Sequence, residues 1–146
     1  MKLHHTLKTY SKSASVITIG TFDGVHIGHQ KIINTLKNVA NFKGLQSVIL
    51  TFFPHPRMIL QHSSNIKLLN TIDERKDILE SLGLDHLVVL KFTKEFSKLS
   101  PERYVKEILM DGLNAKHIII GYDHRFGKNR RADIKDLIEF GNHFNF

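Results

Sequence analysis

Apolar residues in this chain fall in short unbroken runs, separated by longer stretches that carry a helical repeat. Ser15 to Gly20 reads S-V-I-T-I-G, β-branched and closed by glycine, which predicts a buried strand. Ile32, Ile33, Leu36 and Val39 then recur at the spacing of one helix face and predict a helix over 27–39. Leu45 to Phe53 (L-Q-S-V-I-L-T-F-F) predicts a second strand, stopped by Pro54-His55-Pro56 because proline cannot donate to a ladder. No firm period follows before about Leu69, so a long loop is expected there. A loop of that length in a compact domain usually serves function.

The second half repeats the alternation. Thr71-Ile72-Asp73-Glu74 has the arrangement of a capping box and opens a helix to Leu82, with Gly83 as its stop. Asp85 to Leu90 (D-H-L-V-V-L) is a third predicted strand. Ser100-Pro101-Glu102 combines a Ser cap, a proline where its missing N–H costs nothing, and an acid near the positive end of the helix dipole. That helix is expected to end near Met110 to Gly112. Ala115 to Ile120 (A-K-H-I-I-I) is a fourth strand closed by Gly121, and Asp133 caps a last helix over 134–140. Strands that are apolar throughout need both faces covered, so the expected fold class is α/β, a parallel sheet flanked by helices. Ligands of such sheets bind beyond the carboxyl ends of the strands. Unusual chemistry follows strand one (Thr21 to His29), strand two (Pro54 to Arg57) and strand four (Tyr122 to Arg131), and the three ends point to one site.

Composition narrows the partners. The 146 residues are 41% hydrophobic and 24% charged, near the globular average, which excludes disorder and coiled coil. No run of about eighteen apolar residues suggests a bilayer span, and Met1 to Ser15 lacks the apolar core of a secretory signal. With no cysteine, disulfides and thiolate chemistry are absent and a reducing, cytoplasmic setting is expected. Lys and Arg number 21 against 14 acids, for a net charge of +7. A basic surface suits nucleic acid, anionic lipid or a phosphorylated small molecule. The densest cluster, His124-Arg125-Phe126-Gly127-Lys128-Asn129-Arg130-Arg131, is one glycine-containing stretch rather than a helical stripe. It favours a local phosphate pocket. No recognition helix or aromatic platform supports nucleic acid.

The segment Gly20-Thr21-Phe22-Asp23-Gly24-Val25-His26-Ile27-Gly28-His29-Gln30 carries the strongest chemical signal. A glycine-rich turn from strand into helix lets backbone N–H groups approach a phosphate, and the helix dipole favours the anion. His26 and His29, three apart, place their imidazoles on one side of the helix start. Two nitrogen donors there suit charge that builds up on a transferred phosphoryl group. Gly28 between them is expected to leave room for a ligand against the backbone. The competing structural reading is that the histidines cap the helix or are simply exposed. Zinc would need a third strong ligand, which is not evident nearby, so no metal ligands are assigned. No Gly-Lys-Ser/Thr follows the turn, so a Walker A loop is absent, as is a dinucleotide fingerprint.

The same string resembles the His-x-Gly-His signature of the nucleotidyltransferase superfamily. Together with Thr51-Phe52-Phe53-Pro54-His55-Pro56 and Gly121-Tyr122-Asp123-His124-Arg125-Phe126-Gly127, it resembles the adenylyltransferase module of bacterial bifunctional riboflavin kinase/FMN adenylyltransferases (FAD synthetases). The blocks Leu68-Leu69-Asn70-Thr71 to Arg75 and Phe92-Thr93 to Phe96 stand between them in the right order, and the likeness covers the chain from about Ser15 onward. It implies a Rossmann-like fold and FAD synthesis from FMN and ATP, with Mg2+ and release of pyrophosphate. It implies that His26 and His29 contact the ATP phosphates, that Gly20, Thr21, Phe22, Asp23, Gly28, Asp123 and Arg125 line the nucleotide side, and that Phe52, Pro54, His55, Pro56 and Phe126 line the flavin side. The loop after Pro56 would fold over the substrate. His124 stands where the family usually has an aromatic residue. The resemblance also implies one domain over 1–146, stopping before a Ser/Thr-rich ATP-binding block and a β-barrel riboflavin kinase domain.

Chemistry agrees with that implication. The nucleophile, an FMN phosphate, is already ionised, so no strong general base is needed and catalysis reduces to positioning and charge stabilisation. The 10 phenylalanines offer apolar and stacking surface for a flat ring, although any one of them can equally be core. A cytidylyltransferase or pantetheine-phosphate adenylyltransferase is a second enzyme reading, opposed by Thr51 to Pro56. A nucleotide- or flavin-binding module without turnover is a third.

Overall fold

Side chains alternate across every strand of one central sheet, and each face meets its own pair of helices. The structure, a computed structural model, describes residues 1–62 and 65–146. Five strands, β1 (Lys2–His4), β2 (Ser15–Ile19), β3 (Gln46–Phe53), β4 (His86–Lys91) and β5 (Ala115–Ile119), are ordered β1-β4-β3-β2-β5 and pair in parallel throughout. On one face Val16, Ile49, Leu87 and Val89 pack under α1 (Ile27–Lys43), through Ile33, Leu36 and Ala40, and under Leu79. On the other, Ile17, Ile19, Val48, Leu50 and Val88 meet Tyr104, Val105, Ile108, Leu109 and Leu137. Burial of both faces is why these strands read as continuous apolar runs.

The remaining helices follow their caps. The α2 helix (Pro56–Leu60) starts on His55, whose Nδ1 accepts the Arg57 N–H at 3.1 Å. The α3 helix (Ile72–Ser81), which carries Leu79, opens on a complete capping box: Thr71 Oγ1 accepts the Glu74 N–H at 3.2 Å, and Glu74 accepts the Thr71 N–H at 2.8 Å. The short α4 (Lys94–Ser97) is capped by Thr93. The α5 helix begins at Pro101–Arg103 behind Ser100 and widens into π-type turns over Tyr104–Gly112. Asp133 and Asp136 form a second capping box on α6 (Ile134–Phe144).

Three expectations are corrected. The sheet has five strands rather than four, because Lys2–His4 adds to β4 at the edge. The expected loop after Pro54 contains α2, and only its outer part lacks regular structure among the described residues; Ser63 and Ser64 lie outside them. The first helix continues to Lys43 and ends on Gly44 at φ 64, a left-handed stop that glycine adopts freely. Among the described residues no helix is long and apolar enough to cross a membrane.

This strand order places a reversal at β2. The chain leaves β2 for β3 on one side and later returns as β5 on the other, so the carboxyl end of β2 opens into the crevice where doubly wound sheets bind ligands. The histidine-bearing segment stands in that crevice.

Candidate active site

The turn that leaves β2 is held in an uncommon backbone shape. Phe22 (φ 51), Gly24 (φ 74) and Val25 (φ 40) all lie at positive φ, and a β-branched residue there is strained. The turn delivers His26 as the cap of α1: its Nδ1 accepts the His29 N–H at 3.4 Å. The two imidazoles stack with centroids 3.7 Å apart and planes at 21°. The expected one-sided placement of the pair is thus observed, and the capping reading holds for His26 as well. Phe22, buried beneath, faces the His29 ring at 4.9 Å.

His29 is half-buried. Its Nδ1 is enclosed without a partner, and among the described residues its Nε2 makes no hydrogen bond. Burial lowers its pKa below the ordinary 6.5, and the adjacent His26 lowers it further, so the ring is neutral at pH 7. A neutral imidazole with a spare nitrogen at a helix N-terminus is a ready donor to an anion. The glycines make room for rings: a Cβ on Gly28 would lie 3.1 Å from His26 Cε1, and one on Gly20 would lie 3.1 Å from the Phe22 ring. The space over Gly28 therefore belongs to His26, not to an open backbone shelf as expected.

Asp23 turns inward. Its Oδ2 accepts the Leu69 N–H at 2.8 Å and its Oδ1 the Asn70 N–H at 2.9 Å, with Arg75 Nη2 at 3.5 Å. Burial opposes ionisation, but these donors and the guanidinium outweigh it and hold the carboxyl below its ordinary value. Asp23 therefore braces the turn against the 69–70 segment, each oxygen already accepting a backbone N–H.

At the end of β3 the flavin-side candidates Pro54, His55 and Pro56 are partly buried, and a groove of about 360 Å³ opens beside them. Pro54, Met58, Ile59, Phe92 and Lys91 wall it. Burial, then Arg57, lowers the His55 pKa. Phe52 packs edge-on to Phe92 at 5.8 Å and against Phe96 at 5.2 Å, behind the groove.

Phe126 is elsewhere. It is buried in the core, 5.7 Å from Tyr104 and 6.5 Å from Phe140, so its ring faces are taken and it is separated from Phe52 by Phe96 and Tyr104. The expected stacking face for a flavin is absent there. Asp123 and Arg125 are exposed beyond β5, Arg125 with Asp133 at 3.5 Å. His124 is largely enclosed over Phe126, its Nε2 without a partner, and burial lowers its pKa. Gly20 and Thr21 follow directly on β2 and are partly buried.

Arg75 and Asn70 were not singled out as site residues from sequence. A signal existed: Ile72, Arg75 and Leu79 share one stripe of α3, and a charge inside an apolar stripe demands a buried partner.

Comparison with known proteins fits this geometry. The family model described as FAD synthetase matches residues 8–146. A bifunctional riboflavin kinase/FMN adenylyltransferase of Listeria monocytogenes is 36% identical over 94% of the chain and 45% of that protein. A protein named FAD synthetase from the same organism is 37% identical over 92% of the chain and 54% of its own length. The chain spans about half the length of these curated relatives. A crystal structure described as a macrolide-efflux protein from Streptococcus pneumoniae superposes with a TM-score of 0.82 at 26% identity, covering 95% of this chain and 46% of that one. The strand order, the His-x-Gly-His turn and the family match agree: this chain belongs to the FAD synthetase family.

Proposed function

We propose that the chain is the FMN adenylyltransferase module of a FAD synthetase, joining FMN to the adenylyl group of ATP. An oxygen of the FMN phosphate attacks the α-phosphorus of ATP, a new P–O bond forms, and the bond to the β-phosphate breaks as pyrophosphate leaves. The observation that carries this reading is the stacked His26–His29 pair on the N-terminus of α1, with Nε2 of His29, unlike the enclosed Nδ1, accessible and making no hydrogen bond among the described residues. Family membership supports it.

Each group then has a role. The first N–H groups of α1 and the two imidazoles receive the phosphate chain and stabilise charge on the α-phosphorus and its leaving group. The groove beside Pro54 and Phe92 takes the isoalloxazine ring on apolar walls, with Lys91 at its rim. Asp123 and Arg125, exposed beyond β5, are assigned to the nucleotide side. Mg2+ enters as the metal of MgATP, held mainly by phosphate oxygens and water. Asp23 already accepts a backbone N–H on each oxygen, so its first task is to hold the turn. The kinase half that supplies FMN in the bifunctional relatives is the expected partner, in the cytoplasm.

Incubating the chain with FMN and MgATP tests the reading. Formation of FAD with one equivalent of pyrophosphate is expected. Binding of both ligands without FAD would make the chain a non-catalytic flavin and nucleotide module. Reaction of CTP with a polyol phosphate, but not of ATP with FMN, would overturn the substrate assignment.

A further inference from the structure

Below the histidine pair lies a cation whose burial needs a reason. Arg75 is 2% exposed; among the described residues its Nε is enclosed without a partner and its Nη2 reaches only the Asn70 carbonyl at 3.2 Å and Asp23 at 3.5 Å. An enclosed guanidinium with such sparse pairing contributes little stability in itself. It does close a ring of contacts. Asp23 accepts the Leu69 and Asn70 N–H groups, the Asn70 side chain accepts the Gly24 N–H at 2.9 Å, and Arg75 ties the Asn70 carbonyl back to Asp23. The ring joins the strained 22–25 turn to α3, and strained backbone persists only where its surroundings over-determine it.

We propose that Arg75 is a positioning residue for adenylyl transfer: through Asp23 and Asn70 it fixes the turn that sets the stacked His26–His29 pair at the mouth of α1. This rests on the adenylyl-transfer reading of the site. The placement is central, because the Arg75 charge is felt at His29 on the nucleotide side and at His55 on the flavin side. The charged and titratable groups facing His29 are His26, Asp23 and Arg75; the cation opposes its protonation and the carboxylate favours it. Arg75 thus acts on the reacting atoms only through the imidazoles.

The test compares Arg75→Met, Arg75→Lys and Asp23→Asn in FAD formation and in ligand-free NMR titration of the His29 ring. Arg75→Met is expected to lower kcat about a hundredfold with a smaller change in the KM for ATP, the scale set by misplacement of a catalytic group. Its His29 midpoint should rise, and the contact between the His26 and His29 rings should weaken. Arg75→Lys keeps the charge without the planar fork, so it should recover part of kcat and leave the His29 midpoint near that of the wild type. Asp23→Asn should lower kcat and move the midpoint down. If Arg75→Met fails to fold, Arg75→Lys and Asp23→Asn decide. Variants with wild-type kcat, unmoved His29 midpoint and intact ring contact would overturn the positioning role. A wild-type chain that makes no FAD would instead count against the adenylyl-transfer reading, while the NMR arm still judges Arg75.

Discussion

Two histidine pairs stand among the described residues, and they are built to opposite rules. His4 and His86, beside the amino end of β4, are buried with every ring nitrogen engaged: His4 Nδ1 with Thr9 Oγ1 at 3.2 Å, His4 Nε2 with His86 Nδ1 at 3.0 Å, and His86 Nε2 with Gln46 Oε1 at 3.0 Å. The Tyr10 ring stands nearly perpendicular to both. His26 and His29, beyond the carboxyl end of β2, are stacked rather than bonded to each other through their rings, and His29 keeps nitrogen valence unspent. Burial lowers the pKa of His4, His86 and His29 alike. The direction of titration therefore does not tell the pairs apart. The difference is satisfaction: a closed network specifies packing, while an open donor at a helix N-terminus is available to substrate.

Substituting one member of each pair should separate the two most sharply. His29→Ala is expected to lower FAD formation by about two to three decades, the size seen when a single oxyanion donor is removed. Its thermal midpoint should stay close to the wild-type value. Normal turnover in that variant would remove His29 from the mechanism. His86→Ala should do the reverse, costing about 1–3 kcal/mol in urea unfolding because His4 and Gln46 lose a buried partner. Turnover per folded molecule should be unchanged. A turnover defect without a stability loss there would erase the contrast.

Acid should reach the closed pair through stability. His4 and His86 titrate below their ordinary 6.5 in the folded chain, so the unfolded chain binds more protons as pH falls. Their contribution is fully present above about pH 6.5 and is lost as pH drops toward the folded values. Urea midpoints measured from neutral pH downward should fall, less steeply in His86→Ala than in wild type. Equal slopes would show that this pair does not set acid sensitivity. Smallest is the cap of α3: Thr71→Ala should cost about 1 kcal/mol in the same assay and lower turnover only slightly, since Asp23 still holds Leu69 and Asn70.

Much of the contrast's open half was legible in the sequence. Strands β2 to β5 are apolar on both faces, and Thr71, Ser100 and Asp133 announce helix starts by local chemistry that tertiary packing does not override. The closed half was not legible. The three residues of β1 are too short and too polar to show a period, and their pairing with β4 joins positions more than eighty residues apart. The α2 helix was hidden because Pro54-His55-Pro56 reads as a strand stop, although a proline in the first turn is equally a helix start. Phe126 looked available because it follows a strand end, yet the chain folds back through its pairing with Ala132 and buries it. Asp23 reads from sequence as a residue of the nucleotide side, and local sequence cannot reveal that Leu69, Asn70 and Arg75 come to meet it from forty-six to fifty-two residues away.

The central claim is that a triphosphate chain lies on the open histidine pair and leaves the closed one untouched. Titrating MgATP into isotopically labelled chain and following all four histidine side chains by NMR tests it directly. The account predicts that the His26 and His29 resonances, with the backbone amides of the first turn of α1, shift in proportion to nucleotide bound while His4 and His86 stay in place. Saturable binding that leaves His26 and His29 unmoved would contradict it.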